Sequence, residues 1–304
     1  MSTSVPCTTT ELADWEEAKR CFSTFSGSWL FRGHAASHWS LVTSIERATA
    51  PTQLRLNAEQ GALGWFQQGA HNYLTNHWAP TSTLEWLALM QHHGTPTRLM
   101  DWTRSPFVAA FFAFEDERPE ADACAIWAID ASWCLTQTKS TIQNLGVDYS
   151  DIAGMSETSF YFRLRDIFDD LLKPNVPPFV CALGPARVHE RLALQQGVFV
   201  FPGNGEMTFE DNLRAFEPVG LANHLHKLVL PRRLRVNALA DLVLMNITRV
   251  SLFPGLDGFA RTWAMLNAVE SNREFQSTQD AQDAALRPRS PGLVVRWNHD
   301  HWEK

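Results

Sequence analysis

Residues 107–114 read Phe-Val-Ala-Ala-Phe-Phe-Ala-Phe and follow Ser105-Pro106. A hydroxyl residue followed by proline marks a helix start: the side-chain oxygen caps a free N–H of the first turn, and proline's fixed φ suits the first helical position. The helix it opens is apolar on every side, so the fold has to enclose it. The stretch leading into it, Gln91 to Pro106, holds two His, two Arg, one Asp and four hydroxyls around Leu99, Met100 and Trp102. Cores are not built from such residues. A polar strand-to-helix junction in an apolar setting is how a small-molecule site is usually made.

The remainder of the chain can supply that setting. Of 304 residues, 45% are hydrophobic and 19% charged, enough for one large domain or two ordinary ones. Twelve Trp and nineteen Phe against three Tyr point to an aromatic core. The net charge of −7 argues against a sequence-independent nucleic-acid coat, which needs a basic surface. No apolar run approaches the roughly 20 residues of a membrane span, and Met1 to Thr10 lacks the pattern of a signal peptide, so a cytoplasmic location is expected. The five cysteines are scattered without a Cys-x-x-Cys pair, which supports neither a zinc site nor a disulfide framework. Cys124 and Cys181 lie in apolar runs and read as inert small hydrophobes.

Periodicity predicts helices over 11–22, over most of 44–72 with a break near Pro51, and from Ser82 to a stop at Gly94 and Pro96. Ser82-x-x-Glu85 has the form of a capping box. Further helices are expected over 107–114, 158–172, 234–245 and 256–269, and strands over 28–31, 98–102, 124–129, 179–183, 197–201 and 226–230. The segment Phe253-Pro254-Gly255-Leu256-Asp257-Gly258 reads as a turn, with Asp257 resembling the N-cap of the last helix. From Ser271 the sequence is polar and carries Pro288 and Pro291. The organisation expected is a helical N-terminal flank over 1–27, one α+β domain over 28–270 and a tail over 271–304.

Four motifs in order carry a family resemblance: Phe31-Arg32-Gly33; the run from Gln91 through Thr103 with Ser105-Pro106; Arg191-x-x-x-Gln195-x-Gly197-x-Phe199; and Leu252 to Gly258. The chain resembles the FRG domain family, named for the first of them. An aromatic-Arg-Gly strand, then a polar strand feeding an apolar helix, is also similar to the first half of ADP-ribosyltransferases. That second resemblance implies a central split mixed sheet flanked by helices. It also implies NAD as ligand, the first-strand Arg on a phosphate or ribose, and a hydroxyl of the next motif strand beside the nicotinamide. Transferases of that fold keep a Glu late in the chain, but no Gln-x-Glu or Glu-x-Glu pair lies near Gln195.

Each candidate residue has a structural role competing with a functional one. Arg32 offers a planar fork to a phosphate or carboxylate, or makes an internal salt bridge; Gly33 lets a backbone or a ligand come close. Thr103, Arg104 and the Ser105 helix start could form an anion site, unless Ser105 simply caps its own helix. Asp101 orients an Arg, a His or a ribose hydroxyl, or pairs with Arg98 or Arg32. Gln91 could read a nicotinamide or a base edge, and Arg98 joins it among the residues placed around the ligand. His92 and His93 are adjacent and point apart, a poor metal pair, and no metal site is expected. Gln195 stands where the transferase resemblance would put its acid, with Glu190 and Glu206 as the nearest carboxylates. The leading expectation is a nucleotide-binding domain that cleaves NAD or transfers ADP-ribose to a protein or nucleic-acid acceptor, with Arg32, Gln195, Asp101 and His93 as catalytic candidates, in a toxin or defence setting. The alternatives are a non-catalytic module sensing nucleotides or nucleic acid, and a hydrolase or nuclease working through His93 and Asp101.

Overall fold

The computed structural model describes residues 5–50, 53–74, 80–143, 168–169, 173, 175–184, 190–263 and 266–267. Seven strands form one sheet: β1 (Thr8–Glu11), β2 (Trp29–His34), β3 (Met100–Thr103), β4 (Ala123–Asp130), β5 (Val180–Leu183), β6 (Gly197–Pro202) and β7 (Leu225–Pro231). Their spatial order is β1-β7-β4-β2-β3-β6-β5. Only β1 and β7 run parallel, so the sheet is mixed. Four residues of β3 pair with β6 and six of β2 pair with β4, yet β2 and β3 share the single register pair Phe31↔Thr103. The sheet is therefore split at its middle. Beyond that one pair, Arg32 to His34 and Met100 to Trp102 run side by side without ladder hydrogen bonds.

Around it lie α1 (Trp15–Phe22), α2 (Ser44–Ala48), α3 (Arg55–Ala70), α4 (Thr83–His92), α5 (Pro106–Phe114), α6 (Ala131–Gln143), α7 (Glu190–Leu194), α8 (Phe209–Arg214), α9 (Arg235–Leu244) and α10 (Arg249–Leu252). Residues 256–263 are helical as well. The two-residue period of the strands divides the apolar side chains between two cores. Phe31, Cys124, Ile126, Ala128, Leu228 and Leu230 face α1, α5 and α9. Leu30, Trp127, Ile129 and Leu225 face the other way, toward the core completed by α4, α6 and the β3-β6-β5 half. Helix α5 is enclosed as its composition requires, with Phe111 and Phe114 wholly buried. Burial pushes the thiols of Cys124 and Cys181 up to about 12, which leaves them unreactive side chains of the core.

The α+β class holds, with helices on both faces of a mixed sheet. No helix among the described residues is long and apolar enough to cross a membrane. The N-terminal flank contributes more than α1, because β1 extends the sheet from the outer edge of β7. The capping box expected at α4 is half formed. Ser82 Oγ accepts from Glu85 N, but the Glu85 carboxylate reaches one residue further back, to Thr81 N (2.7 Å) and Thr81 Oγ1 (3.0 Å). Asp257 lies inside the helical residues 256–263 and is not their N-cap. The helix expected over 158–172 and the tail from 271 fall almost wholly outside the described residues.

Candidate functional site

The alternation that sends Phe31 and Gly33 toward α5 sends Leu30, Arg32 and His34 to the opposite face of β2. Two bonds fix the Arg32 guanidinium: Nε donates to His34 Nε2 (3.2 Å), and Nη1 donates to the backbone oxygen of Asp101 (2.5 Å). The second bond crosses the split in the sheet and supplies a donor to a β3 carbonyl that the missing ladder leaves exposed. Among the described residues no carboxylate lies within ion-pair distance of Arg32. Burial holds its pKa below the usual arginine value, opposed by the charge of Asp101. The nearest negative charge, that of Asp101, stays beyond ion-pair distance, so this partly buried cation can still take an anionic partner.

Alongside it lies a cleft of about 290 Å³ whose walls include Arg32, Gly33, Asp101, Thr103, Arg191 and Gln195. Residues 32 and 103 thus border one hollow although 71 positions separate them, and the third motif joins them from α7. Arg191 stacks over the ring of Phe253, its guanidinium carbon 4.6 Å from the ring centroid. The carboxylate of Asp101 is solvent-exposed and is held by the amide of Gln91 (3.3 Å).

Several candidates, three of the cleft walls among them, also have internal partners. Gly33 admits the close approach of a helix: a Cβ placed there would lie 2.0 Å from Ala109 O and 2.7 Å from Ala113 N on α5. Thr103 Oγ1 donates to Gln195 O (2.7 Å) and accepts from Ser105 N (3.1 Å), while Ser105 Oγ caps α5 through Val108 N (3.3 Å). Their hydroxyls lock the junction, so the helix start is closed by its own cap. The Gln91 amide is likewise taken up internally. It donates to Leu99 O and the Asp101 carboxylate and accepts from Thr97 Oγ1. Arg98 is buried away from the cleft against Glu59, with Nε 2.6 Å from Oε2. The Gln195 side chain is buried and its amide nitrogen donates to Leu252 O (3.1 Å). Glu206 caps α3 by accepting from Arg55 N and Leu56 N. His93 lines a different groove, beside Trp65 and Tyr73, and does not meet Asp101. Among the described residues no three His, Cys, Asp or Glu side chains are grouped to hold a metal ion.

Sequence reasoning missed His34. Burial, and then the nearby Arg32 charge, lowers its pKa from 6.5 to about 3. It is therefore neutral across the physiological range, and Nε2, which accepts from Arg32, carries no proton. The residue two places along the same strand was its only sequence signal, since i and i+2 share a face. The unfolded chain protonates this histidine near pH 6.5 and the folded chain only near 3, so its contribution is complete above 6.5 and is lost as pH falls through that window. The cost is about 1.4 kcal/mol per pH unit. His34→Gln should flatten the acid side of the stability curve. Urea midpoints of wild type and variant, compared from pH 7 to 4, should converge or cross as pH drops.

Residues 27–122 match the family model of the FRG domain, a span running from the start of β2 through α5. No curated protein and no solved structure matches the chain.

Proposed function

We propose that this chain, a member of the FRG domain family, is a nucleotide-binding domain that takes NAD or another ADP-ribose-bearing ligand in the cleft at the split of its sheet. One observation carries the reading: Arg32 is held by His34 and Asp101 O, lacks a carboxylate partner among the described residues, and opens onto a hollow that Arg191 also lines. A phosphate is the anion that planar guanidinium forks favour, and this hollow is lined by two of them. For turnover, the residue placed to act is Asp101. Its exposed carboxylate would face the positive charge that grows on the ribose carbon as nicotinamide departs, and water or an acceptor nucleophile would complete the substitution. An NAD-cleaving activity in the cytoplasm fits a toxin or defence role.

A second reading, binding without turnover, is favoured by Gln195. The position that the transferase resemblance gives to an acid holds a buried amide bonded to Leu252 O. Calorimetry and a nicotinamide-release assay separate the two. Wild type should bind NAD or ADP-ribose saturably. Arg32→Gln should weaken that binding by about 10- to 100-fold, the worth of a charge-assisted hydrogen bond of 1.5–3 kcal/mol, with the unliganded melting temperature little changed. Asp101→Asn should retain affinity and abolish release if the domain is an enzyme. Absence of release by wild type leaves the sensing reading. Absence of saturable binding by any nucleotide would overturn the proposal.

A further inference from the structure

The Arg32 cleft, at about 290 Å³, stands at the small end of ligand sites, which run from roughly 300 to 1,000 Å³. A dinucleotide outgrows it. A second hollow of about 470 Å³ lies on the far side of Arg191, walled by Arg191, Arg249, Phe253, His92, Glu190 and Asp257. We infer that the two hollows are halves of one site, divided by Arg191, and that the site selects a ligand with two separated nucleotide halves over a mononucleotide. The inference rests on the nucleotide reading of the Arg32 cleft and adds the extent of the ligand.

Three structural connections support it. Arg191 lines both hollows and a narrow gap of about 20 Å³ that also touches Asp101 and Gln91. Phe253 is flanked by two guanidiniums, with Arg191 at 4.6 Å and Arg249 at 4.5 Å from its ring centroid. Arg249 makes an ion pair with Glu115, a wall residue of the first cleft, so the cation of one half is tethered to the carboxylate of the other. Charge is sorted across the second hollow. Glu190 and Asp257 are exposed, whereas Arg191 and Arg249 are partly buried, which leaves guanidinium groups toward the interior and carboxylates at the rim. The Arg191 guanidinium has no hydrogen-bond or ion-pair partner among the described residues. A pyrophosphate passing between the halves meets it first. The fourth sequence motif thereby acquires a use beyond a turn: Phe253 backs both arginines, and Gly258 packs so closely on Phe253 O that a Cβ there would lie 1.9 Å away.

The test compares NAD with AMP and nicotinamide mononucleotide by calorimetry on the full chain. Wild type should bind NAD at least tenfold more tightly than either mononucleotide. Asp257→Trp, which puts a large side chain on the exposed rim of the second hollow, and Arg249→Gln should each cut that preference to about threefold or less. In Asp257→Trp, which leaves the Arg249–Glu115 pair intact, the mononucleotide held at Arg32 should change by less than twofold. Mononucleotides that match NAD within twofold in wild type, or a preference that survives both substitutions, would overturn the two-half site and leave the nucleotide reading standing. Failure of all three ligands to bind would remove both.

Discussion

Gly33→Ala is expected to destabilise the protein by about 3 kcal/mol or more, although it adds one methyl group to a strand. Overpacking usually costs about 1–3 kcal/mol when neighbouring side chains can yield, and more when they cannot. Here the obstacles are backbone atoms, Ala109 O at 2.0 Å and Ala113 N at 2.7 Å, so the whole of α5 would have to retreat by more than an ångström. That helix has no freedom to do so, because Val108, Ala109, Phe111 and Phe114 are buried around it. Its retreat would also displace Phe112 and Glu115, which line the Arg32 cleft, so binding should fall together with stability. Gly64→Ala is the control. Gly64 is exposed within α3, and a methyl group added there meets nothing within 4 Å, so alanine should raise stability by about 0.5–1 kcal/mol. Urea unfolding of the two variants checks the contrast. A loss below about 1 kcal/mol at position 33 would show that α5 can yield where β2 presses on it.

Much of this arrangement is legible in the chain because it is local. Ser105-Pro106 and the apolar run after it define α5 without tertiary information, and the N-cap forms as read. The strands β2 to β7 lie where apolar runs predict them, with ends shifted by a few residues. Elements whose stability comes from their surroundings are harder to see. Thr8–Glu11 has no apolar alternation, since an edge strand exposed to solvent needs only backbone partners, and β7 supplies them. Helix α6 is rich in Ser and Thr, which favour helices poorly, and it is held by Cys134 and Leu135 in the core.

The site divides along the same line. Arg32 and Asp101 can be nominated from residue type and motif, but the identity of each residue's partner depends on segments far away in sequence. Glu206 is open as a candidate acid until α3, some 150 residues earlier, places two free N–H groups over it. Gln91 has the chemistry of an amide facing a ligand. The fold instead surrounds it with Thr97, Leu99 and Asp101. Arg191 and Phe253 meet across some sixty positions, and no periodicity encodes such a stack. Residue type announces capacity for chemistry; the fold decides whether that capacity is left open to a ligand.

Arg98 shows this most clearly, and it carries the second large prediction. Its guanidinium and the Glu59 carboxylate are 2% and 4% exposed, and Glu59 also accepts from Arg98 N at 2.6 Å. Removing one partner leaves a buried charge uncompensated, at a cost of about 3–5 kcal/mol, whereas replacing both with apolar residues of similar volume is often close to neutral. Glu59→Leu and Arg98→Met should each lower stability by about that amount. The double variant should lie well above the sum of the two, with a coupling of at least about 2 kcal/mol. Urea unfolding of the four proteins measures it, and additive losses would show that the pair does not act as a unit. The same set separates scaffold from ligand contact. The double variant, once folded, should bind NAD as wild type does, while Arg32→Gln should not. An affinity loss in the double variant comparable to that of Arg32→Gln would return Arg98 to the binding site, a place from which its buried partnership with α3 removes it.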